Sequence, residues 1–328
     1  LRFIINKKKN NIFSCKNKIY SLMKVLKFGG GCLKDAESIK KIPKILAQFQ
    51  QEKLIIVVSA FGKITNLLEL HQYDEVSRFL ITLMNNLGFD AIEQERLMKM
   101  PIAPSFSNQH IQPSSFINFL KNNNLSYSDR ICMGEYISSL IIHHYLNKIL
   151  IKNIVIDAAL ALKTYKWMQN VNYADFDSTI NLKQDALFFY NSQKISHALY
   201  DEISQNTIIT QGFIASENPN LIHSDFTKLK RTTLGREGSD YSAAIFSVMF
   251  SAEQVILYKD VDGVYNADPK MYPNAQLFKE LSYKEAFSIC NNKKPIVHPK
   301  TIRFLMDYSI PLLVKNFNNT QSPGSYIS

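Results

Sequence analysis

Apolar and polar positions alternate in blocks along this chain. Val25-Leu26-Lys27-Phe28 is a short, mostly apolar run that ends in Gly29-Gly30-Gly31. From Asp35 to Gln51, residues Ile39, Ile42, Ile45, Leu46 and Phe49 recur at helical spacing and predict a helix. Leu54-Ile55-Ile56-Val57-Val58 is continuously apolar, as a parallel strand buried on both faces is. Runs of the same kind recur at 153–156, 207–210, 255–258 and 311–314, with helical patterns between them, notably at 136–146, 194–203 and 240–250. This alternation predicts an α/β layered fold with a mainly parallel central sheet, which takes its ligands beyond the carboxyl ends of the strands. Residues 71–128 break the rhythm. They are polar and Asn-rich, with short helical patterns and prolines at 101, 104 and 113, and read as a helical excursion or lid within the same domain.

Composition narrows the function classes. The chain has 328 residues, 46% apolar and 20% charged, as folded domains do. Its formal charge is +10, but residues 1–22 hold Arg2, Lys7, Lys8, Lys9, Lys16 and Lys18 and no acidic residue. The remaining 306 residues carry 32 basic and 28 acidic groups, too even a balance for a nucleic-acid surface. Residues 1–22 read as a flexible basic extension, with an organelle-import segment as the alternative. The longest uncharged apolar stretch, Tyr241 to Ala252, is 12 residues, against roughly 18 for a membrane span. Cys15, Cys32, Cys132 and Cys290 lie far apart, which argues against a disulfide framework or a zinc site and makes the cytoplasm the default compartment. Trp167, the Phe188-Phe189-Tyr190 run and the His143-His144 pair read as structural residues, and His298-Pro299 as a helix start.

Glycine is the informative residue. There are only 11, where ordinary usage of about 7% would give roughly 23. Nine fall in six segments placed at strand ends or helix starts: 27–31, 59–66, 133–135, 211–213, 234–241 and 259–265. After a strand, backbone N–H groups of Gly29, Gly30 and Gly31 can face phosphate oxygens while Lys27 adds a cation, or the segment is a tight turn with a solvated lysine. No Walker A pattern occurs. Gly235-Arg236-Glu237-Gly238-Ser239-Asp240 precedes a helix that Ser239 or Asp240 can cap, at an end that suits an anion. Arg236 adds a planar fork matched to a carboxylate. A phosphate cradle and a carboxylate clamp together point to an acidic metabolite phosphorylated by a nucleotide.

In order along the chain, Lys-Phe-Gly-Gly, Val-Val-Ser-Ala…Thr-Asn, Gly-Glu-x-x-Ser, Thr-Gln-Gly-Phe, Thr-Thr-Leu-Gly-Arg-x-Gly-Ser-Asp-Tyr and Asp-Val-Asp-Gly-Val-Tyr…Asp-Pro resemble the aspartate kinases of the amino-acid kinase family. Leu281-Ser-Tyr-x-Glu285 and His298-Pro299 continue the likeness. The resemblance implies the three-layer α/β/α amino-acid kinase fold. Residues 23–230 would form an aspartate-binding lobe and 231–328 a nucleotide-binding lobe. It implies transfer of the γ-phosphoryl of ATP to the β-carboxylate of L-aspartate, with Mg²⁺ held mainly by phosphates and water, opening lysine, threonine and methionine synthesis. Lys27 and Asp240 would be catalytic, Asp240 as organiser of Lys27 or of the substrate amine. Ser59, Thr65, Glu135, Phe213, Arg236 and Ser239 would hold the substrate. Lys27, Gly29, Gly30, Gly31, Gly238, Asp260, Tyr265, Lys270 and Lys294 would surround ATP. No protein metal ligand, nucleic acid or membrane is expected, and a homodimer is the family expectation.

The chain also departs from that pattern. Gly31-Cys32 stands where Thr-Ser is usual, Lys270 where Arg is, and Pro295 where a lysine faces the phosphates, which leaves Lys293 or Lys294 to reach in. Only about a dozen residues follow the run at 311–314, so neither ACT regulatory domains nor a lysine or threonine feedback site is expected in this polypeptide. Two other readings stay open: a kinase of another acidic amino acid, such as glutamate or acetylglutamate, and a catalytically weakened binding or partner subunit.

Overall fold

The computed structural model describes residues 23–99, 116–122, 125–164, 207–217, 231–235, 237–269, 271–291 and 295–328. The patterns at 1–22, 167, 188–190 and 194–203 lie outside them. Along the chain the strands are β1 (Met23–Phe28), β2 (Lys53–Val58), β3 (Asn153–Ile156), β4 (Lys163–Thr164), β5 (Thr207–Gln211) and β6 (Ile214–Glu217). They continue as β7 (Arg231–Thr233), β8 (Gln254–Lys259), β9 (Glu280–Leu281), β10 (Leu312–Asn316) and β11 (Ser325–Ile327). All six apolar runs are strands, and they line up in one eight-stranded sheet of order β3-β5-β2-β1-β8-β10-β11-β9. Its pairs are parallel except β10–β11.

The runs are apolar at every position because both faces are covered. Successive side chains point to opposite faces of a strand. Leu26, Phe28, Ile56, Val58, Ile256 and Tyr258 accordingly enter one core with the helices Ile64–Glu69, Tyr73–Asn86 and Tyr127–Lys148. Val25, Ile55, Val57, Val255, Leu257, Leu312 and Val314 enter the other with Gly238–Met249 and Pro299–Tyr308. This is a three-layer α/β/α arrangement. From β1 the chain fills one side of the sheet through β2, β3 and β5, then fills the other through β8 and β10. The switch point, where ligand crevices open in such sheets, therefore lies between β1 and β8.

Two local readings are corrected. The pattern at 35–51 breaks into Ala36–Ile39, Ile42–Leu46 and a 3₁₀ turn at Ala47–Phe49. Pro43 lacks the N–H that would close a helical turn onto Ile39. The helix read from residue 136 begins at Tyr127, where the Ser126 hydroxyl accepts from the Asp129 N–H at 3.1 Å. Gly134 is therefore inside a helix and not at its start. A methyl group there would stand 3.1 Å from Ala60 Cβ and 3.3 Å from Ile64 Cγ2, so glycine lets the two segments touch. A small sheet that the patterns did not predict, β4-β6-β7, flanks the main one. Its strands, two to four residues long, are too short to carry an apolar run that would betray them.

Within 71–128, the described helices Tyr73–Asn86, Ala91–Met98 and Phe116–Asn122 bury Leu80, Leu83, Leu97 and Phe119 in the same core as Leu26 and Ile56. His298 and Pro299 do open a helix, with His298 as its N-cap. Among the described residues no helix is long and apolar enough to cross a membrane.

Candidate active site

Alternation along β1 turns Lys27 to the same face as Val25, toward the helix Gly238–Met249. The Lys27 ammonium is buried there and needs a counter-charge. Asp240, in the first turn of that helix and fully buried, supplies it: Oδ1 lies 2.5 Å from Lys27 Nζ. Its second oxygen, Oδ2, lies 2.5 Å from Nζ of Lys259, the last residue of β8. Burial alone would raise the Asp240 pKa, but Lys259 and Lys27 together outweigh it and hold the carboxyl down at about 2. For Lys259, burial lowers the pKa while Asp240 and the more distant Glu237 raise it, and the net direction is up. Asp240 is thus not the helix cap. That position belongs to Glu237, in the left-handed region at φ 56° with no side-chain cap bond. Two ammonium partners hold the Asp240 carboxylate more strongly than a backbone N–H would.

A cavity of about 240 Å³ opens beside this group at the carboxyl ends of the strands. Its wall is Lys27, Gly30, Ser59, Thr65, Glu135, Phe213, Gly235, Glu237, Gly238 and Ser239. Ser59 follows β2, and Thr65 stands in the first turn of Ile64–Glu69. The loop between them is pinned where the Phe61 N–H donates to Ser138 Oγ at 3.0 Å. Phe213 occupies the turn from β5 to β6 at φ 68°, an uncommon conformation for a bulky residue. Its N–H donates to Ser242 Oγ at 2.9 Å, and Ser242 in turn donates to the Gly238 carbonyl at 3.0 Å. A methyl group on Gly212 would lie 2.5 Å from Ser239 Cβ, so only glycine lets this turn meet the helix start.

Glu135 faces the cavity from the Tyr127–Lys148 helix and is 5% exposed. Burial pushes its pKa up to about 8, against a smaller opposing pull from its own N–H, the Ala60 N–H and Lys27. Among the described residues its Oε2 has no hydrogen-bond partner. A buried carboxyl in that state gains most from an arriving cation.

Of the residues selected from sequence, Lys27, Gly30, Ser59, Thr65, Glu135, Phe213, Gly238 and Ser239 share this one cavity, with Asp240 directly behind Lys27. Gly29 and Gly31 flank Gly30 in the turn after β1 but do not line it. Asp260 is exposed beyond β8. Further along that loop, the Tyr265 hydroxyl donates to Asp262 Oδ2 at 3.2 Å, away from the cavity wall. Arg236, Lys270 and Lys294 lie outside the described residues. Sequence reasoning missed Lys259, Glu237 and Ser242. The signal for Lys259 was its phase, since it continues the face of Val255 and Leu257 on a strand paired with β1.

Among the described residues no cluster of three or more His, Cys, Asp or Glu forms a metal cage.

Residues 23–316 match the amino acid kinase family. The chain is 28% identical over 312 residues to bifunctional aspartokinase/homoserine dehydrogenase 1, chloroplastic, of Arabidopsis thaliana, covering 92% of this chain and 32% of that protein. It is 27% identical over 317 residues to aspartokinase 2, chloroplastic, of the same plant, covering 93% and 54%. It thus spans about a third to a half of the length of these relatives. Among solved structures, E. coli aspartokinase III in complex with aspartate and ADP superposes with a TM-score of 0.71 at 22% identity, over 93% of this chain and 64% of that one. Clostridium acetobutylicum aspartate kinase gives 0.67 at 23% identity, over 93% and 62%. Those two likenesses bear on the fold, and the match over 23–316 bears on descent: this chain belongs to the amino acid kinase family.

Proposed function

We propose that this chain phosphorylates L-aspartate, transferring the γ-phosphoryl of MgATP to the β-carboxylate to give 4-phospho-L-aspartate. The observation that carries the reading is the single cavity in which Lys27, Glu135, Thr65, Phe213 and Ser239 converge beside a lysine–aspartate pair. Aspartokinases among the relatives, one of them crystallised with aspartate and ADP, support the same choice. The acceptor carboxylate, with an ordinary pKa near 3.9, is ionised at neutral pH. No general base is needed, and catalysis reduces to alignment and charge stabilisation. An acceptor oxygen attacks the γ-phosphorus, the bond to the bridging oxygen breaks, and the electron pair leaves on ADP. Lys27, aimed by Asp240, offsets charge on the transferring group. Glu135 takes the substrate ammonium, and Ser59, Thr65 and Ser239 give hydrogen bonds. Arg236 is the candidate clamp for the α-carboxylate. In this reading residues 23–230 supply most of the aspartate site, joined by Arg236 and Ser239, and 231–328 supply most of the nucleotide site, with Gly29, Gly30, Gly31, Gly238, Asp260, Tyr265, Lys270 and Lys294 around the nucleotide.

A hydroxamate trapping assay with MgATP and L-aspartate tests this. Product is expected from the wild type, reduced at least about a hundredfold in Lys27→Ala. No product from the wild type, or undiminished product in the variant, overturns the reading.

A further inference from the structure

Asp240 has more positive charge around it than a structural ion pair requires. One buried carboxylate needs one ammonium, yet Lys27 and Lys259 both lie 2.5 Å from it, with side chains only 5% and 15% exposed. The trio carries a net charge of +1 in a place where an unbalanced charge is costly. Glu237 is a looser, second carboxylate for Lys259, 3.6 Å away and 40% exposed, so solvent screens what it returns to the buried trio.

The position of that surplus is informative. In the parallel register Leu257 stands opposite Lys27, so Lys259 is two residues further along on the same face. At about 3.3 Å per residue, its stem starts some 6–7 Å nearer the ligand edge, level with the glycine turn. Cys32, in that turn, feels the charge of both Lys27 and Lys259. The two ammoniums therefore flank the switch point between β1 and β8, each braced by a different oxygen of Asp240.

We infer that Lys259 is a second catalytic cation, contacting the phosphoryl group in flight while Asp240 holds it and Lys27 at a fixed spacing. The inference rests on the kinase reading above. No proton moves: Lys259 stays an ammonium while the γ-phosphorus exchanges the ADP oxygen for the acceptor oxygen.

The experiment measures steady-state kinetics with MgATP and L-aspartate for the wild type, Lys259→Met and Lys259→Arg. Lys259→Met is expected to lose about a hundredfold in kcat while the KM for aspartate stays within about threefold, and Lys259→Arg to recover most of the loss. A folded Lys259→Met with kcat within threefold of the wild type overturns the inference and leaves the kinase reading intact. Should the wild type make no phosphoaspartate, or Lys259→Met not fold, acetic anhydride labelling of the wild type decides. MgATP is expected to protect Lys259 at least fivefold and MgAMP not to. Equal labelling with the two nucleotides overturns the inference.

Discussion

Asp240 and Glu135 are two buried carboxyl groups at the same end of one sheet, each presented by the helix packed on one of its faces. Asp240 is held down at about pH 2 by Lys259 and Lys27, although burial works against it. Glu135 is pushed up to about 8 by burial, with one oxygen unpartnered among the described residues. Burial is common to both, so what sets them apart is whether the protein supplies the counter-charge. Where it does, the group belongs to a finished, preorganised device. Where it does not, the missing partner describes the ligand: a cation, which in the proposed function is the substrate ammonium.

The sharpest way to break this contrast is Asp240→Asn, which leaves two ammoniums without their carboxylate. Removing one member of a buried ion pair costs about 3–5 kcal/mol, and the asparagine fold is expected to lose at least about 3 kcal/mol in urea titration. Turnover is expected to fall at least about a thousandfold, because Lys27 loses its aim. The folded pKa of Asp240 is below its ordinary 3.8, so its stabilisation is present above that value and fades as pH falls toward 2. The corresponding acid limb of the stability curve should vanish in the variant. Wild-type stability and turnover together would mean that the two ion pairs are idle.

Glu135→Gln removes charge where none is yet paired, so its effect should be smaller and fall on binding. The KM for aspartate is expected to rise about thirtyfold with kcat within about fivefold. Glu135 must shed its proton before it can take an ammonium. The KM of the wild type should therefore fall about tenfold between pH 7 and 9, and that trend should flatten in the variant. Stability runs the other way. The folded group keeps its proton up to about pH 8 while the unfolded one releases it near 4.5, so stability declines as pH rises across that window. Thermal midpoints of Glu135→Gln should lose this slope, and an unchanged slope would assign it to another group.

The contrast was half visible in the sequence. Strands covered on both faces are continuous apolar runs, so the sheet was legible, and a chain sparing with glycine marks its own turns. Asp240 was legible as important but ambiguous as a cap, because its two lysines come from strands distant in the chain. Lys259 hid beside Asp260, the residue of that segment that the resemblance singled out. Glu135 was expected at a helix start, since Gly134 reads as a break. Only packing against Ala60 and Ile64 explains a glycine inside that helix. The small β4-β6-β7 sheet left no trace because its strands are only two to four residues long.

The mildest test concerns the glycine contact beside each carboxyl. Gly134 precedes Glu135, and Gly212 abuts Ser239, which precedes Asp240. A methyl group on Gly212 would stand 2.5 Å from Ser239 Cβ and 2.9 Å from its Cα, a clash with backbone that a rotamer change cannot relieve. Gly212→Ala is therefore expected to cost about 2–3 kcal/mol. On Gly134 the nearest atoms are Ala60 Cβ at 3.1 Å, which moves only with its backbone, and Ile64 Cγ2 at 3.3 Å, so a methyl there requires a shift of a few tenths of an ångström and not the larger one needed at Gly212. There alanine also recovers about 1 kcal/mol of helix propensity, so Gly134→Ala should stay within about 1 kcal/mol of the wild type. Urea midpoints of the two variants measure the difference. If Gly134→Ala proves the more damaging, the Glu135 wall is the rigid half of the site, and a carboxyl left unpaired for a ligand is held as firmly as one already paired.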